Sequence, residues 1–125
     1  MRIGFTGHRN RITGELSYIH TLYPDAVWVH GGAEGFDTQV DQYAKEHGIT
    51  VEVIRPEYDK FPDHVAPLLR NEDIVNGTDL LIACYDGRKT GGTRYTVEYA
   101  KRQGKPVKYL SYRNLAWAAV GVKNA

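Results

Sequence analysis

Three short segments of this chain join glycine to hydroxyl or basic side chains. They are Thr6-Gly7-His8-Arg9-Asn10, His30-Gly31-Gly32-Ala33-Glu34-Gly35 and Thr90-Gly91-Gly92-Thr93. Each follows a strand-like run and precedes helix-like sequence. A glycine turn that opens a helix presents backbone N–H groups beside the positive helix end, and that is chemistry for holding an anion. In the first turn the Thr6 hydroxyl and the Arg9 guanidinium are further donors, with Gly7 and His8 between them. In the second, Gly31, Gly32 and Gly35 allow close backbone approach to a ligand. Asp37 just beyond can accept from a ribose hydroxyl or simply cap its helix. The third turn, Gly91-Gly92-Thr93, is the strongest phosphate candidate, because Arg88, Lys89 and Arg94 flank it on both sides. Arg70-Asn71 lies about one turn after Pro67. A cation near a helix start is mildly unfavourable, and a ligand phosphate or Asp73 would offset it. Tyr85, at the end of an apolar strand, is a candidate to stack on a base.

The elements that must carry these residues alternate along the chain. Strand-like runs cover residues 2–6, 26–30, 49–54, 79–84 and 106–110. Helical spacing joins Ile12, Leu16, Ile19 and Tyr23, then Val40, Tyr43 and Ala44, then the segment from Pro67 to about Val75, then Val97 and Ala100. Asp37 and Thr93 are the expected N-caps of the second and fourth helices. A last short helix is expected over 114–120. Such alternation predicts an α/β fold, a Rossmann-like three-layer α/β/α sandwich with a five-stranded parallel sheet in the order 3-2-1-4-5. In that order the first and fourth strands meet at the switch point, where open α/β sheets bind ligands beyond their carboxyl ends.

Composition bounds the reading. With 125 residues the chain is expected to be one domain, 1–125, with 111–125 as a peripheral tail. The net charge is +1, which argues against nucleic acid as a partner and against an anionic membrane surface. The lone Cys84 excludes an internal disulfide and fits a reducing, cytoplasmic setting. Met1-Arg2-Ile3 leads straight into a strand, and no apolar run is long enough to span a bilayer. The histidines at 8, 20, 30, 47 and 64 lack metal-ligand spacing, and no cofactor is implied. There is no G-x-G-x-x-G fingerprint and no Walker A sequence. Exposed sheet edges and helix faces make a homo-oligomer plausible.

The run from Gly4 to Val107 resembles the SLOG superfamily of Rossmann-like proteins, which includes the Smf/DprA, LOG and YpsA/YspA-like groups. The small YspA-like branch is the one it most resembles. The residues that carry this are Gly4-Phe5-Thr6-Gly7-His8-Arg9, then Val29 through Asp37, then Arg70-Asn71, Thr78-Asp79 and Gly92-Thr93. The resemblance implies a site for a nucleotide or nucleotide-derived ligand. In some members it implies hydrolysis of the N-glycosidic bond of a nucleoside monophosphate by an arginine and a glutamate. Arg70 matches the arginine, whereas the glutamate position is Thr96. Oxocarbenium-like chemistry needs a carboxylate, and a threonine hydroxyl is a poor substitute. Glu98 lies about 200° around the helix from Thr96, so an enzyme would have to draw on Glu34 or Asp37. The sequence therefore favours a binding module. A nucleotide N-glycosidase using Arg70, Glu34 or Asp37 is the alternative, and a DNA-processing accessory protein ranks third.

Overall fold

The computed structural model describes residues 1–115. In chain order the elements are β1 (Arg2–Gly7), β2 (Arg11–Ile12), α1 (Leu16–Leu22), β3 (Val27–His30), α2 (Phe36–Glu46), β4 (Val51–Val53), α3 (Ala66–Asn76), β5 (Leu80–Cys84), α4 (Gly92–Arg102), β6 (Val107–Tyr109) and β7 (Arg113–Asn114). Five strands form one parallel sheet ordered β4-β3-β1-β5-β6. Leaving aside the two-residue β2, this is the expected order 3-2-1-4-5. The Rossmann-like α/β reading is borne out.

Hydrophobic burial explains the layering. β5 is buried throughout, as its unbroken apolar sequence requires in a sheet covered on both faces. On one face Leu16 and Ile19 of α1 and Phe36, Val40 and Ala44 of α2 pack on Ile3, Phe5, Trp28 and Ile82. Phe5 and Trp28 meet with ring centroids 4.6 Å apart. On the other face Val75 of α3 and Ala100 of α4 close on Leu81. Gly4 of β1 is required there: a Cβ would sit 2.9 Å from Ile74 Cγ2 and Thr78 Oγ1 of the α3 layer. These contacts bring the carboxyl ends of β1 and β5 side by side, with Gly7 in register with Cys84.

Four local expectations are corrected. Ile12 is not helical. It pairs with Arg113 in an antiparallel ribbon, β2 with β7. The break lies at Thr13, whose N–H donates to Gln39 Oε1 (3.0 Å) and whose carbonyl accepts from Gln39 Nε2 (2.6 Å). Asp37 does not cap α2, and Thr93 does not cap α4. Gly35 and Gly91 occupy the cap positions, with positive φ of 84° and 99° and no side-chain cap. Asn114 lies in β7 rather than in a helix. The rest of the helix expected over 114–120, from residue 116 on, lies outside the described residues.

Candidate functional site

A cleft of about 250 Å³ opens at the carboxyl ends of β1 and β5, between the starts of α3 and α4. It collects Thr6, Gly7, His8 and Arg9 from the turn after β1, and Arg70 and Asn71 from α3. Asp37 comes from α2, and Gly91, Gly92 and Thr93 from the start of α4. Arg88, Ala33 and an apolar wall of Phe5, Pro67, Leu68 and Ile74 complete it. Sites read from distant parts of the chain thus converge, as the switch-point argument expects. Gly31, Gly32, Gly35, Glu34 and Tyr85 do not line it.

The turns differ in what they offer an anion. In the second turn the amides have protein partners. Gly31 N–H and Ala33 N–H both donate to Asp37 Oδ2 (3.2 Å each), and Gly32 N–H donates to His30 Nδ1 (2.9 Å). Because Nδ1 accepts, Nε2 carries the His30 proton and donates it to Asp41 Oδ1 (2.9 Å). Gly31 is glycine because Arg70 crosses it, and an added Cβ would lie 2.5 Å from Arg70 Nη1. Gly35 lets the first and second turns touch, since a Cβ there would overlap the Arg9 carbonyl. These glycines take part in packing and lie outside the cleft's lining. The turn before α4 is different. A Cβ on Gly91 would meet nothing within 4 Å. Like α2, α4 has no side-chain cap, but at α2 the Phe36 N–H donates to the His8 carbonyl (3.3 Å). Gly91, Gly92 and Thr93 at the start of α4 line the cleft, and Gly91, at φ 99° and ψ 175°, adopts a conformation essentially confined to glycine.

Asp37 is buried (7% exposed), and its second oxygen, Oδ1, has no hydrogen-bond partner among the described residues. Burial holds its carboxyl above the usual range, against the pull of the two loop amides and Arg70. Arg70 is also buried. Its Nε donates to Asn71 Oδ1 (2.8 Å) and its Nη1 to the carbonyls of Gly31 and Ile54. Asp73 is not its partner, so the α3 cation is balanced by carbonyls and by Asp37. Desolvation lowers the guanidinium pKa, partly offset by Asp37.

Asp86 was not anticipated from the sequence. It lies two residues after β5 and gathers the cations of both lips. Its backbone N–H donates to His8 Nε2 (3.2 Å), and its carboxylate meets Arg11 at 3.3 Å and pairs with Arg88. The Arg88 hydrogen bonds hold its carboxyl well below the usual carboxylate range. Burial, then Arg88, keeps His8 below its ordinary value. Arg88 also donates to Asn10 Oδ1 (3.0 Å). The basic cluster is therefore internally neutralised in part, and Arg9 is the exposed cation of the first turn in the cleft. The sequence signal was an Asp-Gly turn directly after the most apolar strand and among arginines. Tyr85 donates its hydroxyl to the Arg88 carbonyl and leans on His8 (5.7 Å) and Tyr109 (6.5 Å). That arrangement leaves it outside the cleft's lining.

The carboxylate inventory bears on chemistry. Glu34 is exposed and outside the cleft's lining. Thr96 is 1% exposed and donates to the Gly92 carbonyl (2.7 Å), so it supports the α4 start from beneath. Asp37 is the acidic residue among the cleft's lining. Cys84 is fully buried, and burial pushes its thiol up to about 12, which makes it inert at neutral pH. Among the described residues no cluster of His, Cys, Asp or Glu could hold a metal ion. Among them no helix is long and apolar enough to cross a membrane.

Residues 1–61 match the model of the YspA, cpYpsA-related SLOG family. This bears out the resemblance carried by the first two turns, both of which fall within the match. A solved X-ray structure, that of TM1055 from a structural genomics consortium, is similar over 85% of this chain and 71% of its own. It has 19% sequence identity and a TM-score of 0.59, a likeness of fold. No curated protein matches the chain significantly.

Proposed function

We propose, from the SLOG resemblance and the geometry of the cleft, that this protein binds a nucleotide or nucleotide-derived phosphate ligand. The phosphate sits at the N-terminus of α4, and the sugar lies toward Asp37. One juxtaposition carries the reading. An uncapped helix start with glycine at its first positions shares a cleft with a buried carboxylate whose Oδ1 is unpartnered. The first suits an anion and the second a hydroxyl group. A sugar phosphate carries both. The cleft is at the small end for ligand sites, which run from about 300 Å³ upward, so the base rests at the mouth. Thr6 and Arg9 add donors on the β1 side. A cytoplasmic location, a single functional domain over 1–125 and self-association accompany this reading as proposals.

The test is titration with AMP, CMP, ribose 5-phosphate and adenosine, read by calorimetry and thermal shift. The phosphorylated compounds should raise the melting temperature, with about 2.7 kcal/mol of stabilisation at a hundredfold excess over Kd. Adenosine should have little effect. No response to any phosphorylated compound would end the proposal.

Asp37 favours a second reading, that of a nucleoside monophosphate N-glycosidase. It is the carboxylate at the cleft that such chemistry needs. Two features count against it. Its raised pKa disfavours the ionised form, and Oδ2 is already committed to two amides. Release of free base from AMP, abolished in Asp37→Asn, would establish this activity.

A further inference from the structure

We infer that Asn71 is the side-chain donor to the ligand's anionic group, and that Arg70 acts through it as a positioning residue. This rests on the reading of the cleft as a phosphate site. Arg70 Nη1 donates to the carbonyls of Gly31 and Ile54, and Nε donates to Asn71 Oδ1 at 2.8 Å. A guanidinium has donors only, so the Asn71 atom facing it must be the oxygen. The orientation of the amide is therefore set by its neighbour rather than left open to a flip. That leaves Nδ2, with its two hydrogens, as the other end. Nδ2 lies 3.6 Å from the point a Cβ on Gly92 would occupy. The amide is thus turned toward the first residue of α4, where the helix N–H groups are. Asn71, Gly91, Gly92 and Thr93 line the same cleft. An anion held by the helix start lies beside a neutral donor whose direction Arg70 sets, while the Arg70 charge holds the loop after β3.

The experiment measures AMP affinity and melting temperature for Asn71→Ala, Asn71→Asp, Arg70→Lys and the Arg70→Lys/Asn71→Ala double variant. Asn71→Ala should bind AMP about tenfold more weakly, the loss of one hydrogen bond to a charged group. Asn71→Asp keeps an acceptor for Arg70 and adds an anion beside a helix start, so it should melt at or above the wild-type temperature. It should still lose about a hundredfold or more in affinity. Arg70→Lys lacks the fork that holds Asn71, so it should weaken AMP binding in the wild-type background and have little effect once Asn71 is alanine. Wild-type AMP affinity in Asn71→Asp would overturn the inference and leave the phosphate site standing. So would equal Arg70→Lys losses in both backgrounds. Failure of the wild type to bind AMP would overturn both.

Discussion

The loop after β3 and the loop before α4 each set adjacent glycines beside a helix start, and they treat their amide donors in opposite ways. Around Gly31–Ala33 the N–H groups donate to Asp37 and His30, so the loop carries its own acceptors. At Gly91–Thr93 no side chain caps the helix. Glycine content does not separate the two. An acceptor two or more residues away, folded back into the turn, does. The first loop is a structural joint between β3, α2 and α3. The second is where the molecule has donors to offer a ligand. The same contrast divides two carboxylates: Asp37, lifted by burial, serves the closed loop, and Asp86, lowered by its cations, braces the open side.

One substitution made in both loops sharpens this most. Gly35→Ala places a methyl group into the Arg9 carbonyl at φ 84° and should cost about 3 kcal/mol or more, read by denaturant unfolding. Gly91→Ala meets open space, so only backbone strain of about 1–3 kcal/mol opposes it, and its main effect should be lost AMP affinity. Equal unfolding penalties would remove the distinction.

Asp37→Ala leaves the Gly31 and Ala33 amides without their acceptor and should cost about 2 kcal/mol. Asp37→Asn keeps an acceptor oxygen and should be close to neutral. Its pH dependence has a definite sign. The folded pKa of Asp37 is raised, so the stability this shift contributes is present below the unfolded value of about 3.9 and is lost as pH rises through the folded value. Asp37→Asn should therefore gain on the wild type as pH rises.

Asp86 has the opposite sign. Its folded pKa is lowered, so its contribution is present above about pH 4 and is lost as pH falls through the folded value. Asp86→Asn should destabilise the protein at pH 7 by about 1–2 kcal/mol and much less near pH 2, measured by unfolding across that range. The smallest effect is Tyr85→Phe. It removes one hydroxyl bond to the Arg88 carbonyl and should cost under about 1 kcal/mol with AMP affinity unchanged. A large affinity loss would return Tyr85 to the ligand.

Much of the fold was legible because its signals are local. The alternation of β-branched runs with helical spacing, broken by glycine and proline, led to the observed strand order. The helix starts were less so. Ile12 has helical spacing with Leu16, yet Gln39 takes the Thr13 backbone groups from across the molecule. At the site, residue types at the strand ends identified most of the cleft. They could not say which amides were occupied, because Asp37 and His30 reach those amides through tertiary geometry. Nor could they show that Gly31 exists to let Arg70 pass, or that Asp86 ties the basic lips together.

The most direct test of the central claim is an amide-resolved NMR titration with AMP. The account predicts the largest shifts at Gly92, Thr93 and Arg94, with the Asn71 side-chain amide moving in step and Gly31, Gly32 and Ala33 little changed. Shifts concentrated on Gly31–Ala33, with the start of α4 silent, would contradict it.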